Sequence, residues 1–303
     1  MPELNDPEIY QTVLDNLQTG VYIVDRNRRI RFWNEGAEQI TGYLRQDVVG
    51  RFLRDHLLAT GDDVKDLDSE QDDPINLVFR DGKSSILDVS ILHKDGYRVP
   101  IVLRTNPIRN SRGAVVGAAE SFEKNRSASE WTRRQARFAD FGCLDSVTGV
   151  AAQSFMETQL RENLTTFAEH NIPFGILLIQ IDHLDQFRAS RGPGVVTTIL
   201  RVIAQSVENC VRPTDLVGCW GANQFIAILM ECGESEVSRV GERVRKMIGQ
   251  AEIEWWGDKF SVTSPLGGAG CRVEDDIELL VARAAASLQE SIVKGGNCVT
   301  VLS

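Results

Sequence analysis

Residues 219–225 read Cys-Trp-Gly-Ala-Asn-Gln-Phe and lie between two apolar runs, 215–220 and 225–230. Small residues at a tight reversal between two such runs specify the tip of a β-hairpin, and asparagine accepts turn geometry readily. Just upstream, residues 174–182 form a nearly continuous apolar run, the pattern of a central strand covered on both faces. Helical periodicity follows at 154–170, 194–210, 234–248 and 276–294, with further strand expected over 253–265. Strands and helices alternating around one hairpin imply a sheet with helices on its faces.

That unit uses only about half of the 303 residues, so two domains are expected. The formal charge of −10 argues against nucleic acid and anionic membrane as partners. Cysteines 143, 210, 219, 232, 271 and 298 lie far apart with no Cys-x-x-Cys pair, which reads as reduced core thiols without a metal site. The acidic start of the chain is no secretion signal, and no apolar run approaches the roughly 18 residues of a membrane span, so a cytoplasmic protein is expected.

The first domain is placed at 7–124. A helix around Ile9, Val13, Leu14 and Leu17 precedes strand-like runs at 20–25 and 29–33, then a capped short helix over 34–43. The acid-rich stretch 61–73 reads as a solvated loop. Alternating runs at 75–79, 85–93, 98–106 and 114–122 predict antiparallel strands. The order, together with Trp33-Asn34-x-Gly36-Ala37-Glu38-x-Ile40-Thr41-Gly42-Tyr43 and His93-Lys94-Asp95-Gly96, resembles a PAS domain. The resemblance implies a sensor or dimerisation module without naming a ligand. Residues 1–142 hold no cysteine for a flavin adduct. His56 is the one plausible axial ligand for haem, and a structural or surface histidine is the simpler reading, so no cofactor is expected. Residues 125–144 are read as a connector helix: Ser127 and Glu130 fit a capping box, and Trp131 and Phe138 stand seven apart, as on a seam between two copies in a homodimer.

The second domain, 145–303, opens on Asp145-Ser-Val-Thr-Gly-Val150 and carries its hairpin tip at Gly221-Ala222-Asn223-Gln224-Phe225. These pieces resemble the GGDEF family of diguanylate cyclases, which implies a palm-like sheet and makes the whole chain α+β. The family's reaction joins two GTP molecules with magnesium held by carboxylates. Matched motif to motif, the metal positions fall on Gln180 and Asn223, and the neighbouring tip acid on Gln224. The guanine-reading positions fall on Arg188 and Thr197, and a phosphate-contacting lysine on Ile292. Neutral amides cannot balance the metal charge. Asp182 stands two residues beyond Gln180, which strand alternation places on the same face, yet one displaced carboxylate is a poor substitute for two. The expectation is a degenerate domain with neither catalysis nor a metal.

One constellation is retained. Arg212-Pro-Thr-Asp215 stands at the offset from the tip of the family's Arg-x-x-Asp inhibitory site, and Arg243 matches a further arginine of that site. The resemblance implies cyclic di-GMP as ligand. A guanidinium fork suits a guanine edge or phosphate, and a carboxylate accepts from the guanine N1–H and amino group. The leading expectation is thus a non-catalytic cyclic di-GMP receptor that signals to an effector protein in trans. The alternatives are a ligand-independent interaction platform, for which Trp255-Trp256 is the clue, and a cyclase working through Asp182.

Overall fold

The structure, a computed structural model, describes residues 7–52, 58–60, 73–124 and 143–302. The chain divides into two compact units, Met1–Asn125 and Arg126–Ser303. His56, most of the acidic stretch 61–73, and the capping box and seam of the connector lie outside the described residues.

The first unit begins with helix α1 (Pro7–Asp15), followed by strands β1 (Gly20–Asp25) and β2 (Ile30–Trp33) and short helices α2 (Glu35–Thr41) and α3 (Arg45–Val48). Strand β3 (Leu58–Thr60), helix α4 (Pro74–Asp81) and strands β4 (Ser85–Leu92), β5 (Arg98–Arg109) and β6 (Val115–Lys124) complete it. The strands form one antiparallel sheet in the order β2-β1-β6-β5-β4-β3. Asn34 organises the start of α2: its Oδ1 accepts from Ala37 N (2.8 Å) and Val21 N (2.7 Å), while Gly42 closes the helix at φ +74°. The core is aromatic, with Tyr22 stacked on Trp33 at 5.4 Å and Phe122 edge-on to Tyr22 at 6.0 Å. Glu120 is fully buried beside them and accepts from the Tyr22 hydroxyl and from Thr105 Oγ1. Burial raises its carboxyl above the usual range, against the opposing pull of those hydrogen bonds.

One expected strand is a helix. Residues 75–79 belong to α4, because Asp73 caps it through Ile75 N (2.8 Å), Pro74 takes the first turn and Gly82 ends it at φ +63°. Ile75 and Val78 then face the core at helical spacing, with Phe79 packed against it.

The second unit contains helix α5 (Gln153–His170), strand β7 (Phe174–Gln180), helices α6 (Leu184–Arg191) and α7 (Pro193–Cys210), and the hairpin β8 (Leu216–Cys219) and β9 (Gln224–Met230). Helix α8 (Glu234–Gly249), the small hairpin β10 (Ile253–Trp255) and β11 (Asp258–Phe260), strand β12 (Leu266–Gly270), helix α9 (Ile277–Val293) and strand β13 (Val299–Val301) follow. The main sheet runs β13-β12-β7-β9-β8, antiparallel except for the β12–β13 pair. Strand β7 is central and buried along its length, as its apolar run predicts. Phe174, Ile176 and Leu178 join a core with Met156 and Leu160 of α5 and Leu280, Ala284 and Leu288 of α9, while Leu177 meets α8 at Gly241.

The strand expected over 253–265 is displaced. That segment makes the separate β10–β11 hairpin, and the main-sheet strand is the glycine-rich Leu266–Gly270. Close helix approach explains the composition. A Cβ on Gly267 would lie 2.1 Å from the Leu288 backbone nitrogen of α9, and one on Gly268 would lie 2.5 Å from Val237 Cγ1 of α8.

Candidate functional site

The opening turn of the second unit fixes the hairpin. Asp145 Oδ1 accepts from Thr148 N (2.8 Å) and Thr148 Oγ1 (2.7 Å), and Gly149 turns at φ +77°. Burial opposes the Asp145 charge, but the Thr148 and Val147 hydrogen bonds hold its carboxyl below the usual range. The chain then pairs with β8, Ala151 N donating to Val217 O and Cys219 N to Ala151 O. At the tip, Trp220 N donates to Gln224 O (2.8 Å) and Gly221 takes φ +109°. Asn223 keeps a negative φ, so the single turn residue in the left-handed region is the glycine. Gly221 and Ala222 are exposed, Asn223 and Gln224 half-buried, and Phe225 is buried in β9.

Gln180 and Gln224 are register partners across the β7–β9 ladder, and Gln224 Nε2 donates to Gln180 Oε1 at 2.9 Å. Both positions are neutral, and this one hydrogen bond joins them. Strand β7 ends at Gln180, and Asp182 turns to other work: its N–H donates to Thr263 O, and its Oδ2 accepts from Thr263 Oγ1 at 2.6 Å. Asp182 also closes on Gly296, where an added Cβ would lie 2.9 Å from Oδ2. Among the described residues no group of three or more His, Cys, Asp or Glu could hold a metal ion. The donors around the tip therefore do not fit two magnesium ions, which need charged oxygens.

The remaining positions of the active-site pattern carry different chemistry. Arg188 is exposed and pairs with Asp185 at 3.3 Å; Thr197 is half-buried on α7; Ile292 packs against the core. Beside them, Phe187 stacks on Phe260 at 5.0 Å, with the Arg191 guanidinium 4.4 Å from the Phe260 ring. Trp255 lies over Gly194, where an added Cβ would meet its ring at 2.7 Å. Trp256, at φ +53° on the β10–β11 turn, is 91% exposed.

Arg212 and Asp215 bridge α7 and β8. Asp215 is buried, and both carboxylate oxygens accept backbone N–H groups: Oδ2 from Arg212 (2.7 Å) and Oδ1 from Met230 (3.0 Å). Its first role is thus to hold the segment before the hairpin against the end of β9. Arg212 is exposed. Cys210 Sγ donates to Arg243 O at 3.7 Å, so the α8 turn carrying Arg243 lies beside the end of α7, two residues before Arg212. Arg243 Nε is buried with no hydrogen-bond partner among the described residues. Arg239 precedes Arg243 by one helical turn and pairs with Glu236 at 3.4 Å. Burial raises the Cys232 thiol, the Asp215 charge adds to the effect, and Arg212 and Arg239 both oppose it. Arg239 thereby joins the same surface, a residue that motif matching missed because it belongs to no motif. All six cysteines are unpaired, and burial pushes Cys271 to about 11, which keeps that thiol protonated at neutral pH.

Comparison with known proteins places these features. The family described as diguanylate cyclase, GGDEF domain, matches residues 143–298, and the PAS fold matches residues 8–120. A relative named diguanylate cyclase A, from Treponema denticola, is 28% identical over 161 residues, covering 52% of this chain and 43% of that protein. Diguanylate cyclase DosC of Escherichia coli is 25% identical over 155 residues, covering 51% of this chain and 34% of that protein. The chain thus spans less than half the length of these curated relatives. Among solved structures, the GGDEF domain of DgcB from Caulobacter crescentus in complex with c-di-GMP aligns with a TM-score of 0.51 at 20% identity, over 53% of this chain and 93% of that one. The diguanylate cyclase SiaD of Pseudomonas aeruginosa, solved with its activator SiaC, aligns with a TM-score of 0.52 at 22% identity, over 57% of this chain and 69% of that one. These alignments share the fold of the second unit. No helix among the described residues is long and apolar enough to cross a membrane.

Proposed function

The chain belongs to the GGDEF family, and from that premise we propose that it is a non-catalytic member: a cytoplasmic receptor that binds cyclic di-GMP through Arg212, Asp215 and Arg243 and signals by contact with an effector protein. Its PAS half senses or dimerises.

The observation that carries the reading is the Gln224–Gln180 hydrogen bond of 2.9 Å. Two amides at the family's acid positions close on each other and offer no charge to a divalent ion. An amide pair needs no counter-ion, whereas two carboxylates at this separation repel unless a cation lies between them. Ligand binding draws its support from the arginines. Arg243 is half-buried, and the terminal nitrogens of its guanidinium can donate to an incoming phosphate or guanine oxygen. Exposed Arg212 supplies a second fork. Asp215 is buried and accepts from two backbone N–H groups, which makes it chiefly the anchor that sets the Arg212 backbone.

Incubation of the protein with GTP and magnesium or manganese should give no dinucleotide; sustained turnover would refute the non-catalytic reading. Equilibrium dialysis with labelled cyclic di-GMP should show binding that Arg243→Ala weakens at least tenfold.

The exposed Trp256 favours a second reading, a ligand-independent interaction platform. Dialysis separates the two, since a platform retains no dinucleotide.

A further inference from the structure

The face of the second unit that carries α5 and α9 holds an open trough of about 950 Å³. One wall is a single stripe of α5: Glu157, Arg161, Leu164 and Ala168, at spacings of four, three and four. This stripe is about 16 Å long at 1.5 Å per residue. Ile277 and Val281 of α9 form the facing wall, and Trp220 joins the two. Leu164, Ala168, Trp220, Ile277 and Val281 thus give an apolar strip within a lining that is otherwise polar, long enough for two or three turns of a third helix.

Its charge selects the occupant. Among the described residues Glu157, Asp276 and Glu278 line the trough with Arg161 as the one lining cation, and Asp275, also in the lining, is already paired with Arg283. Asp276 spends one oxygen on Leu279 N (2.8 Å) at the start of α9, and Glu278 has no ion-pair partner among the described residues. An anionic dinucleotide is repelled here, and so is the same face of a second copy, which would bring Glu157, Asp276 and Glu278 against their own counterparts. The geometry points to a basic amphipathic helix of a partner protein: apolar side chains at i, i+3, i+4 and i+7 on the Leu164–Trp220–Val281 strip, lysines or arginines over Glu157 and Glu278. Trp220 gives such a partner a route to the hairpin, because its N–H bonds Gln224 O at 2.8 Å. The trough is separate from the arginine surface, and the inference does not depend on dinucleotide binding.

The probe is a fluorescein-labelled model helix of leucine and lysine at amphipathic spacing, titrated into the full chain and followed by anisotropy. Saturable binding is expected, with at least a tenfold loss in the double reversal Glu157→Lys/Glu278→Lys. The control reversal Asp185→Lys/Glu254→Lys makes the same change in net charge on exposed positions outside the trough lining and should stay within twofold of the parent. Arg212→Ala should leave peptide affinity unchanged. Equal losses in both double reversals would mean a general attraction to an acidic surface and would overturn the proposal. No saturation up to about 100 μM, or equal binding of a leucine and glutamate peptide of the same pattern, would overturn it too. Circular dichroism of each variant verifies that it is folded.

Discussion

At the scale of single residues, the proposed non-catalytic state rests first on an amide pair. Gln180 and Gln224 meet because the β7–β9 register pairs them, and Gln224 Nε2 donates to Gln180 Oε1. A double-mutant cycle with Gln180→Ala and Gln224→Ala should return a coupling on the order of 1 kcal/mol in urea unfolding, and a coupling near zero would mean the two amides act independently. His93 offers a second residue-level test. It is buried against Tyr97, stacked at 4.3 Å, and an added Cβ on Gly42 would lie 2.6 Å from its Nε2. Burial pushes His93 down to about 4, with Asp95 resisting and Lys124 and Lys94 assisting. The folded state thus binds the proton less readily than the unfolded chain, whose histidine titrates near 6.5. Stability is fully present above that value and is lost as the pH falls towards 4. Denaturation at pH 7 and pH 5 should show a loss in the parent, on the order of 1–2 kcal/mol, that His93→Phe reduces; an unchanged pH dependence would exclude His93 as its source.

Elements were legible in the sequence where their signals are local. The β7 run, the hairpin and the long helices α5, α7, α8 and α9 show their periodicity within a few turns. Segment 75–79 misleads because a short apolar run satisfies strand and helix alike; the caps Asp73, Pro74 and Gly82 carry the decision. Strand β12 is invisible to strand propensity because its sequence answers to distant residues. Gly267 is needed by Ala284 and Leu288, which arrive on α9 well after the strand is complete. Gly267→Ala should therefore destabilise the second unit by about 1–3 kcal/mol, or push α9 off the sheet, measured by thermal unfolding of the full chain. An unchanged melting temperature would show that the helix yields freely. The site divides along the same line. Gln180, Asn223, Arg212 and Arg243 were readable from motif offsets. The amide–amide bond, the backbone duties of Asp215 and the nearness of Arg239 come from long-range pairing that no local pattern encodes.

At the scale of the whole molecule, two units of different design share one chain. The first has a filled aromatic core and leaves an apolar edge on α1, where Tyr10 and Val13 are each 56% exposed and Ile9 is also open, continued by exposed Leu17 just past the helix. Such a stripe fits a second copy of the chain, in line with the homodimer expected from the sequence. Sedimentation should give a dimer for the parent and a monomer for Val13→Asp/Leu17→Asp; a monomeric parent would remove dimerisation from the account. The second unit has the family's sheet, and on the proposed reading Gln180, Asn223 and Gln224 stand where the family has acids while Arg212 and Arg243 serve the ligand. Calorimetry of cyclic di-GMP into the full chain tests most directly the claim that binding has outlived catalysis. The account predicts saturable heat at micromolar protein, without added magnesium, and at least a tenfold loss of affinity in Arg212→Ala. No heat, or an affinity that Arg212→Ala leaves unchanged, would contradict it.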